Sequence, residues 1–305
     1  MRPVVILGVF VADASFRADR QPVMGETIMG HGFALGPGGK GSNQAVAAAR
    51  AGGRVHFITR LGQDTFGDMA LTLWSDAGVI PEVTRHADNY TGAAYIFLEQ
   101  ATGNNAIIVC PGVAGTIGAA DLAAKAALIE TAGVFMTQLE TPIAAARAGL
   151  RIARAAGVTT ILNPAPAADL DDALLALCDW ITPNESEAEA LTGIPVATLD
   201  DAGRAADTLI ARGVGGAVIT LGAQGVLLCH SGARVHVPAM ALGPVVETTG
   251  AGDAFNGGFA TAALARGDDP VTAARFGRAV AGLSVTRAGA AASMPALAEI
   301  SALLE

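Results

Sequence analysis

The sequence predicts an α/β fold with three layers, α/β/α, around a mostly parallel sheet, plus a small β-sheet lid. Three observations carry this expectation. From residue 121 onward, short β-branched apolar runs alternate with helical runs, as in a parallel sheet covered on both faces. Two earlier stretches, about 13–36 and 91–110, interrupt that alternation with turn residues and short strand-like pieces. No linker, internal repeat or compositional break divides the chain, so residues 1–305 read as a single domain with the two excursions as its lid.

Composition narrows the function. The chain has 305 residues, 51% hydrophobic and 15% charged, which is enough to bury a large core and too apolar for disorder. There are 19 basic and 28 acidic residues, a net charge of −9, and no basic cluster, so nucleic acid is not an expected partner. Cys110, Cys178 and Cys229 are far apart and lack zinc or disulfide spacing. Reduced thiols and a cytoplasmic location are the expectation. The apolar run 4–12 follows Arg2, but Asp13 interrupts it and no small-residue cleavage site follows. It reads as a buried strand rather than a signal segment. No apolar run approaches the ~20 residues that cross a bilayer, so no membrane contact is expected.

Taken in order, residues 2–11 predict a buried parallel strand. Residues 13–35 weaken around Gln21-Pro22, Met24-Gly25, Gly30 and Gly32, predicting short antiparallel strands outside the main sheet. A glycine track, Gly36-Pro37-Gly38-Gly39-Lys40-Gly41-Ser42-Asn43, leads into a helix at 46–52. Gly36, Gly38 and Gly41 fit G-x-G-x-x-G, but 31–35 is a poor strand and 55–60 holds no acid. The dinucleotide reading is therefore disfavoured, and a P-loop would need Ser or Thr where Gly41 follows Lys40. What remains is a glycine track offering the Lys40 ammonium and the Asn43 amide to a polyhydroxylated ligand. A strand at 55–61 and a helix at 65–77 follow. Strands at 91–98 and 105–110 form a hairpin about Thr102-Gly103-Asn104 and pair with the first excursion.

The alternation then settles: helix 121–130, strand 133–138, helix 142–156, strand 158–163, short helix 171–177, strand 180–182. A helix opens at Asn184, where Glu187 completes a capping box. Helix 200–212 and strands 217–221, 225–229 and 234–237 come next, then helices 254–266 and 271–286 with a loop at 287–293. Ligands of such sheets bind at the carboxyl ends of the strands. Asp13, Glu140, Asn163, Asn184 and Thr220-Leu221-Gly222 end the predicted strands with polar groups. His31, His56, His86, His230 and His236 show no partner pattern.

The stretch Glu247-Thr248-Thr249-Gly250-Ala251-Gly252-Asp253 turns a loop into a helix. The first turn of a helix has unpaired N–H groups and partial positive charge, and Gly250 and Gly252 let an anion approach them. Asp253 beside that site is placed to take a proton from a hydroxyl attacking phosphorus. Plainer readings stand beside these. Asp253 serves as a helix N-terminal charge, Lys40 as a surface ammonium, Glu140 as a helix charge before Pro142, and Asn184 as an N-cap.

Three stretches together resemble the ribokinase-like (PfkB) sugar kinases. They are Gly38-Gly39-Lys40-Gly41-Ser42-Asn43-Gln44-Ala45, Thr249-Gly250-Ala251-Gly252-Asp253-Ala254-Phe255-Asn256-Gly257, and Thr182-Pro183-Asn184-Glu185-Ser186-Glu187. Lys40 and Asn163-Pro164-Ala165-Pro166-Ala167 look most like the ribokinase branch. The resemblance implies transfer of the ATP γ-phosphoryl group to the primary hydroxyl of a sugar, D-ribose first, with another pentose, deoxyribose or a nucleoside as alternatives. A non-catalytic sugar-binding regulator is a further alternative. Residue by residue, it implies Asp253 as general base and Gly250, Ala251 and Gly252 as anion hole. Val11, Asp13, Gly39, Lys40, Asn43 and Glu140 match sugar-binding positions. Asn184, Thr220, Gly222, Gly225, Gly252 and Arg278 match the nucleotide site. Glu187 matches a position tied to Mg²⁺, and Glu247, Thr249, Ser284, Arg287, Gly289 and Ser293 match a loop for K⁺ or another monovalent cation. A homodimer through the lid is implied. Four departures from the family pattern stand out: Val11 for an Asn, Val113-Ala114 for Ala-Asn, Glu247 for an Asp, and Arg278 for a small polar residue or His.

Overall fold

The first strand stops sooner than the apolar run predicts. In the computed structural model, which describes residues 2–260, 267 and 269–304, β1 is Val4–Leu7. The chain leaves the main sheet at Gly8, packed so tightly that an added Cβ would lie 2.6 Å from Gly41 Cα. Val11 opens β2 (Val11–Ala18), which pairs antiparallel with β3 (Gly32–Gly38). Asp13 therefore sits on a strand of the second sheet, not at the end of a main-sheet strand. An unbroken apolar run does not show where a chain passes from one sheet to another. Residues 31–35, a poor strand by composition, fall mostly within β3 because β2 provides the ladder.

The helix predicted at 46–52 begins earlier, as α1 (Lys40–Arg50) with Gly39 as N-cap at φ 90°. Gly41, Ser42 and Asn43 are weak helix formers, but all three are buried, and packing overrides propensity. β4 (Val55–Gly62) and α2 (Thr65–Ala77) match expectation. Asp64 caps α2 by accepting from Gly67 N–H at 2.8 Å. β5 (Ile80–His86) was not predicted. It is an edge strand that holds Pro81 and lacks an apolar face. β6 (Thr91–Glu99) and β7 (Asn105–Gly112) form the predicted hairpin. The second sheet runs β3-β2-β6-β7, and its β2–β6 pair is parallel, so the sheet is mixed rather than antiparallel.

The helix predicted at 121–130 breaks at Lys125 into α3 (Ala119–Ala124) and α4 (Ala126–Glu130). There follow β8 (Val134–Thr137), α5 (Ile143–Ala155), β9 (Thr159–Leu162), α6 (Asp172–Leu175), β10 (Trp180–Ile181), α7 (Glu185–Thr192) and α8 (Leu199–Ala211). After β11 (Gly216–Thr220), β12 (Val226–His230) and β13 (Ala233–Val237) come α9 (Ala251–Gly258), α10 (Pro270–Ser284) and α11 (Leu297–Leu304). Of the helix predicted at 254–266, residues 261–266 lie outside the described residues.

Among the described residues the main sheet has nine strands in the order β13-β12-β11-β10-β9-β8-β1-β4-β5, with every neighbouring pair parallel except β11–β12 and β12–β13, so that β12 alone runs against the rest. Its side chains alternate between two cores. Val4 and Ile6 join Phe57, Trp74, Phe255 and Val280 on one face, while Val5 and Leu7 join Ile58, Phe135 and Leu209 on the other. Each buried Leu, Ile or Phe contributes about 1.5–3 kcal/mol, and together they fix the strand ends on which the site is built.

Candidate active site

The carboxyl ends of β1, β8, β9, β10 and β11 lie along one edge of the sheet, and α1 and α9 close over it. The two helices meet tightly: a Cβ on Gly257 would lie 2.5 Å from Ala47 Cβ. This contact brings the glycine track to Asp253. The Asp253 carboxylate is buried. Its Oδ2 accepts from Asn43 Nδ2 at 3.0 Å and its Oδ1 from Gln44 Nε2 at 3.0 Å. Burial pushes the Asp253 carboxyl up, while the Lys40 charge and the two amide donors pull it down.

Lys40 presents its backbone N–H to Glu140 Oε2 at 2.8 Å. Burial raises the Glu140 carboxyl to about 7 against the pull of Lys40, with Asp253 and Asp13 adding to the rise. Asp13 is raised by burial to about 6. Its carboxylate fills the space a side chain at Gly38 would take, since a Cβ there would lie 2.1 Å from Asp13 Oδ2. Asp13, Lys40, Asn43, Glu140 and Asp253 thus form one electrostatically coupled group. Asn43 Oδ1 is buried with no hydrogen-bond partner, leaving an acceptor open to a hydroxyl. Gly39 is obligatory beside them: its φ is 90° and a Cβ would lie 2.6 Å from Val9 O. Val11 differs from its neighbours. It is 3% exposed and packs with Val9, Ala94 and Ala114 in a small apolar cluster.

α9 begins at Gly250, in the left-handed region at φ 80°. Ala251 N–H donates to Thr248 O at 3.1 Å and Ala254 N–H to Gly250 O at 2.8 Å. Between them lie the N–H groups of Gly252 and Asp253, in a first turn that has no acceptor of its own. Gly252 is exposed, and a Cβ there would meet nothing within 4 Å.

The predicted nucleotide residues gather at β10 and β11. Asn184 bridges to Thr220 in parallel, and Thr220 N–H donates to Pro183 O at 2.9 Å. Leu221 N–H reaches over Gly222 to Gly225 O at 2.8 Å. Gly225 packs on Pro238, whose carbonyl accepts from Arg278 Nη1 at 3.3 Å, and Arg278 Nε is buried without a partner. The Asn184–Glu187 capping box is present: Glu187 N–H donates to Asn184 Oδ1 at 2.8 Å and Asn184 N–H to Glu187 Oε2 at 2.9 Å. Burial raises the Glu187 carboxyl, and the Lys40 charge opposes the rise.

The loop around Glu247 lies against the one after α10. Val246 N–H donates to Val285 O at 2.8 Å, and Gly289 N–H donates to Glu247 Oε2 at 2.7 Å. Ser284 and Ser293 give their hydroxyl protons to Ala281 O and Ala290 O, at 2.9 and 2.8 Å. Thr249 is exposed at the mouth of the anion loop, and the Arg287 side chain turns away to Glu299.

Four buried polar residues at the site were not singled out from sequence: Gln44, Gln138, Thr182 and Asn256. Thr182 Oγ1 donates to Asn256 Oδ1 at 2.6 Å, and Asn256 Nδ2 donates to Gly252 O at 2.9 Å. Their signal was position inside the quoted motifs, and for Gln138 a polar residue ending an apolar strand.

A buried carboxylate, one coupled ammonium and an open helix N-terminus at the carboxyl edge of a parallel sheet define a class of protein: α/β enzymes that transfer a phosphoryl group to a hydroxyl. The chain belongs to the pfkB family of carbohydrate kinases, whose profile matches residues 1–297, and it is an ATP-dependent sugar kinase of that family. It is 37% identical over 305 residues to ribokinase of Haemophilus influenzae, covering 100% of this chain and 99% of that protein. It is 33% identical over 305 residues to deoxyribokinase of Salmonella typhi, covering 99% of this chain and 98% of that protein. The structure of Arabidopsis thaliana ribokinase complexed with ribose and ATP superposes with a TM-score of 0.93 at 31% identity, covering 100% of this chain and 99% of that one.

Proposed function

We propose that this kinase phosphorylates the primary hydroxyl of D-ribose, giving D-ribose 5-phosphate. The observation that carries the reading is the Asp253 carboxylate, held by Asn43 and Gln44 beside the open N–H groups of the α9 first turn. The ribokinases that match over the full chain support ribose as acceptor.

In this reading Asp13, Lys40, Asn43 and Glu140 hold the sugar hydroxyls, which compete with no other partner for Asn43 Oδ1. Asp253 takes the proton of the primary hydroxyl while its oxygen bonds to the γ-phosphorus and the bond from that phosphorus to the ADP oxygen breaks. The N–H groups of Gly252 and Asp253 receive the charge that develops on the phosphoryl oxygens, with Gly250 and Ala251 shaping the turn. Asn184, Thr220, Gly222 and Gly225 line the nucleotide, with Arg278 behind Pro238.

Among the described residues no three His, Cys, Asp or Glu side chains gather into a metal cage. That suits Mg²⁺, which keeps its waters and travels on the phosphates. Glu187, Asp253 and Glu140 share the single Lys40 charge, so the site has carboxylate to spare for it. Bound there with ATP, Mg²⁺ would neutralise phosphate charge, and Glu187 would hold its waters. K⁺ would be held by the Glu247 carboxylate and the carbonyls of the loop from Ser284 to Ser293, with Thr249, Arg287 and Gly289 contributing backbone oxygens. The three cysteines are unpaired, which suits a reducing cytoplasm.

The second sheet carries an apolar row on one face. The Phe16 and Phe33 rings lie 5.1 Å apart, Phe16 and Tyr95 lie 5.7 Å apart, and Ile108 is the Cα partner of Tyr95. In this reading that face is the homodimer contact, and the sheet, about 13–36 and 91–110, is a lid over the sugar.

A second reading, 2-deoxy-D-ribose as the better acceptor, is favoured by one observation. Val11, two residues from Asp13 on β2, is apolar and buried against Ala114, so no polar atom stands there to read a hydroxyl. Turnover with Mg²⁺ and K⁺ on D-ribose, 2-deoxy-D-ribose, D-fructose, 2-keto-3-deoxygluconate and adenosine separates the readings. The highest kcat/KM on ribose supports the first, a preference for deoxyribose supports the second, and sugar binding without turnover on any of them removes both.

A further inference from the structure

One fully buried side chain at the site lacks a role: Gln44. Its amide is committed at every point. Oε1 accepts from Gln138 Nε2 at 2.5 Å. The two N–H groups on Nε2 go to Asp253 Oδ1 and Asn163 Oδ1, each at 3.0 Å. An amide turned over would set its oxygen against two other oxygens, so only one orientation satisfies all three neighbours.

Asn163 cannot turn either. Asn163 gives its Nδ2 to Thr182 O at 2.9 Å, which leaves only its oxygen for Gln44. Gln138 is 1% exposed, and its Oε1 fills the gap between two glycines: a Cβ on Gly8 or on Gly41 would lie 2.7 Å from it. Gln138 Oε1 has no hydrogen-bond partner there, and Gln138 presents its nitrogen because Gln44 Oε1, turned toward it by Asp253 and Asn163, takes only a donor.

We propose that Gln44 is a positioning residue for phosphoryl transfer: Asn163 locks its amide, with Gln138 donating to its oxygen, so that it donates to Asp253, keeping that carboxylate charged and aimed at the acceptor hydroxyl. This rests on Asp253 as proton acceptor. The other groups acting on Asp253 are the Asn43 amide and the Lys40 ammonium, and the Glu140 and Glu187 carboxyls feel its charge in turn. The hydrogen bond of Gln138 reaches Asp253 only through Gln44, so the relay is separable from them.

The test is the pH profile of kcat for wild type, Gln44→Met, which keeps length and loses the donor, and Gln138→Leu. Losing one hydrogen bond to the charged form moves the acid limb up by about one pH unit in Gln44→Met. The sugar KM stays within about threefold while kcat falls on the order of tenfold, as for a group that acts on the base and not on the sugar. Gln138→Leu moves the limb in the same direction by less. A ¹³C-carboxyl titration of Asp253 in the apo protein reads the same upward shift without turnover, and it decides the matter if Gln44→Met does not fold. An acid limb and a carboxyl titration both unmoved in folded variants overturn the proposal. Wild-type turnover by Asp253→Asn overturns the role of Asp253 instead, and the titration still reports whether Gln44 holds its charge.

Discussion

Asn43 Nδ2 and Asp253 Oδ2 lie 3.0 Å apart although 210 residues separate them in the chain. The bond joins the first turns of α1 and α9, and so, on the proposed reading, joins the sugar-holding motif to the phosphate-holding one. With Gln44 on the other oxygen, both lone-pair faces of the carboxylate have a neutral donor and neither has a formal charge. A buried carboxylate held this way stays basic enough to accept a proton and ordered enough to aim.

The two glycines of the anion loop respond differently to alanine. At Gly252 a Cβ meets no atom within 4 Å, so Gly252→Ala keeps the thermal midpoint within about 2 °C while the methyl occupies the anion site. Its kcat falls on the order of a hundredfold. Gly250→Ala forces a Cβ onto φ 80° and to 3.0 Å from Ala290, so it lowers the midpoint as well. Thermal melts and steady-state rates on the two proteins check the contrast. Equal loss of stability in both contradicts it.

Glu140 makes stability fall with rising pH. Its carboxyl stands at about 7 in the folded protein against 4.5 ordinarily, so between those values the folded state holds the extra proton. Raising pH through that window costs stability, and Asp13 adds the same sign from 3.8 to about 6. Glu140→Gln removes its share while its amide oxygen still accepts from Lys40 N–H. Thermal melts from pH 4.5 to 7.5 then show the variant gaining on wild type as pH rises. Parallel curves would falsify the account of Glu140.

Gly38 exists to make room for Asp13. A Cβ there would lie 2.1 Å from Asp13 Oδ2, at the end of a side chain that can swing aside. Gly38→Ala keeps its fold and displaces the carboxylate, so the sugar KM rises on the order of tenfold or more through a lost charge-assisted hydrogen bond. The KM for ATP changes little. An unchanged sugar KM removes Asp13 from the sugar site.

The apolar row on the second sheet predicts self-association. Phe33 is 62% exposed and Ile108 is 63% exposed, so Phe33→Asp and Ile108→Glu cost little folding stability. Light scattering shows a dimer for wild type and a monomer for the double variant. A wild-type monomer contradicts the dimer.

Much of this was legible in the sequence because its signals are local. Helix 65–77, the hairpin at 91–110 and the anion loop each announce themselves through capping, turn residues or glycine spacing. Asp13 reads from sequence both as the end of the first strand and as the start of the second sheet, and it belongs to the second sheet, since an unbroken apolar run does not reveal where a chain crosses between sheets. β5 was missed because an edge strand with a proline needs no apolar face. Gln44, Gln138, Thr182 and Asn256 stayed hidden for a different reason. A polar residue in an apolar run reads the same whether it faces water or a buried network, and only packing separates the two.

The most direct test of the central claim is turnover by Asp253→Asn with D-ribose, ATP and Mg²⁺, following sugar 5-phosphate by ³¹P NMR. Wild type forms the 5-phosphate. The variant, folded and still binding ribose, is slower by a factor on the order of 10²–10⁴, the usual worth of a general base. A folded variant that makes the product at the wild-type rate contradicts the claim that Asp253 takes the proton.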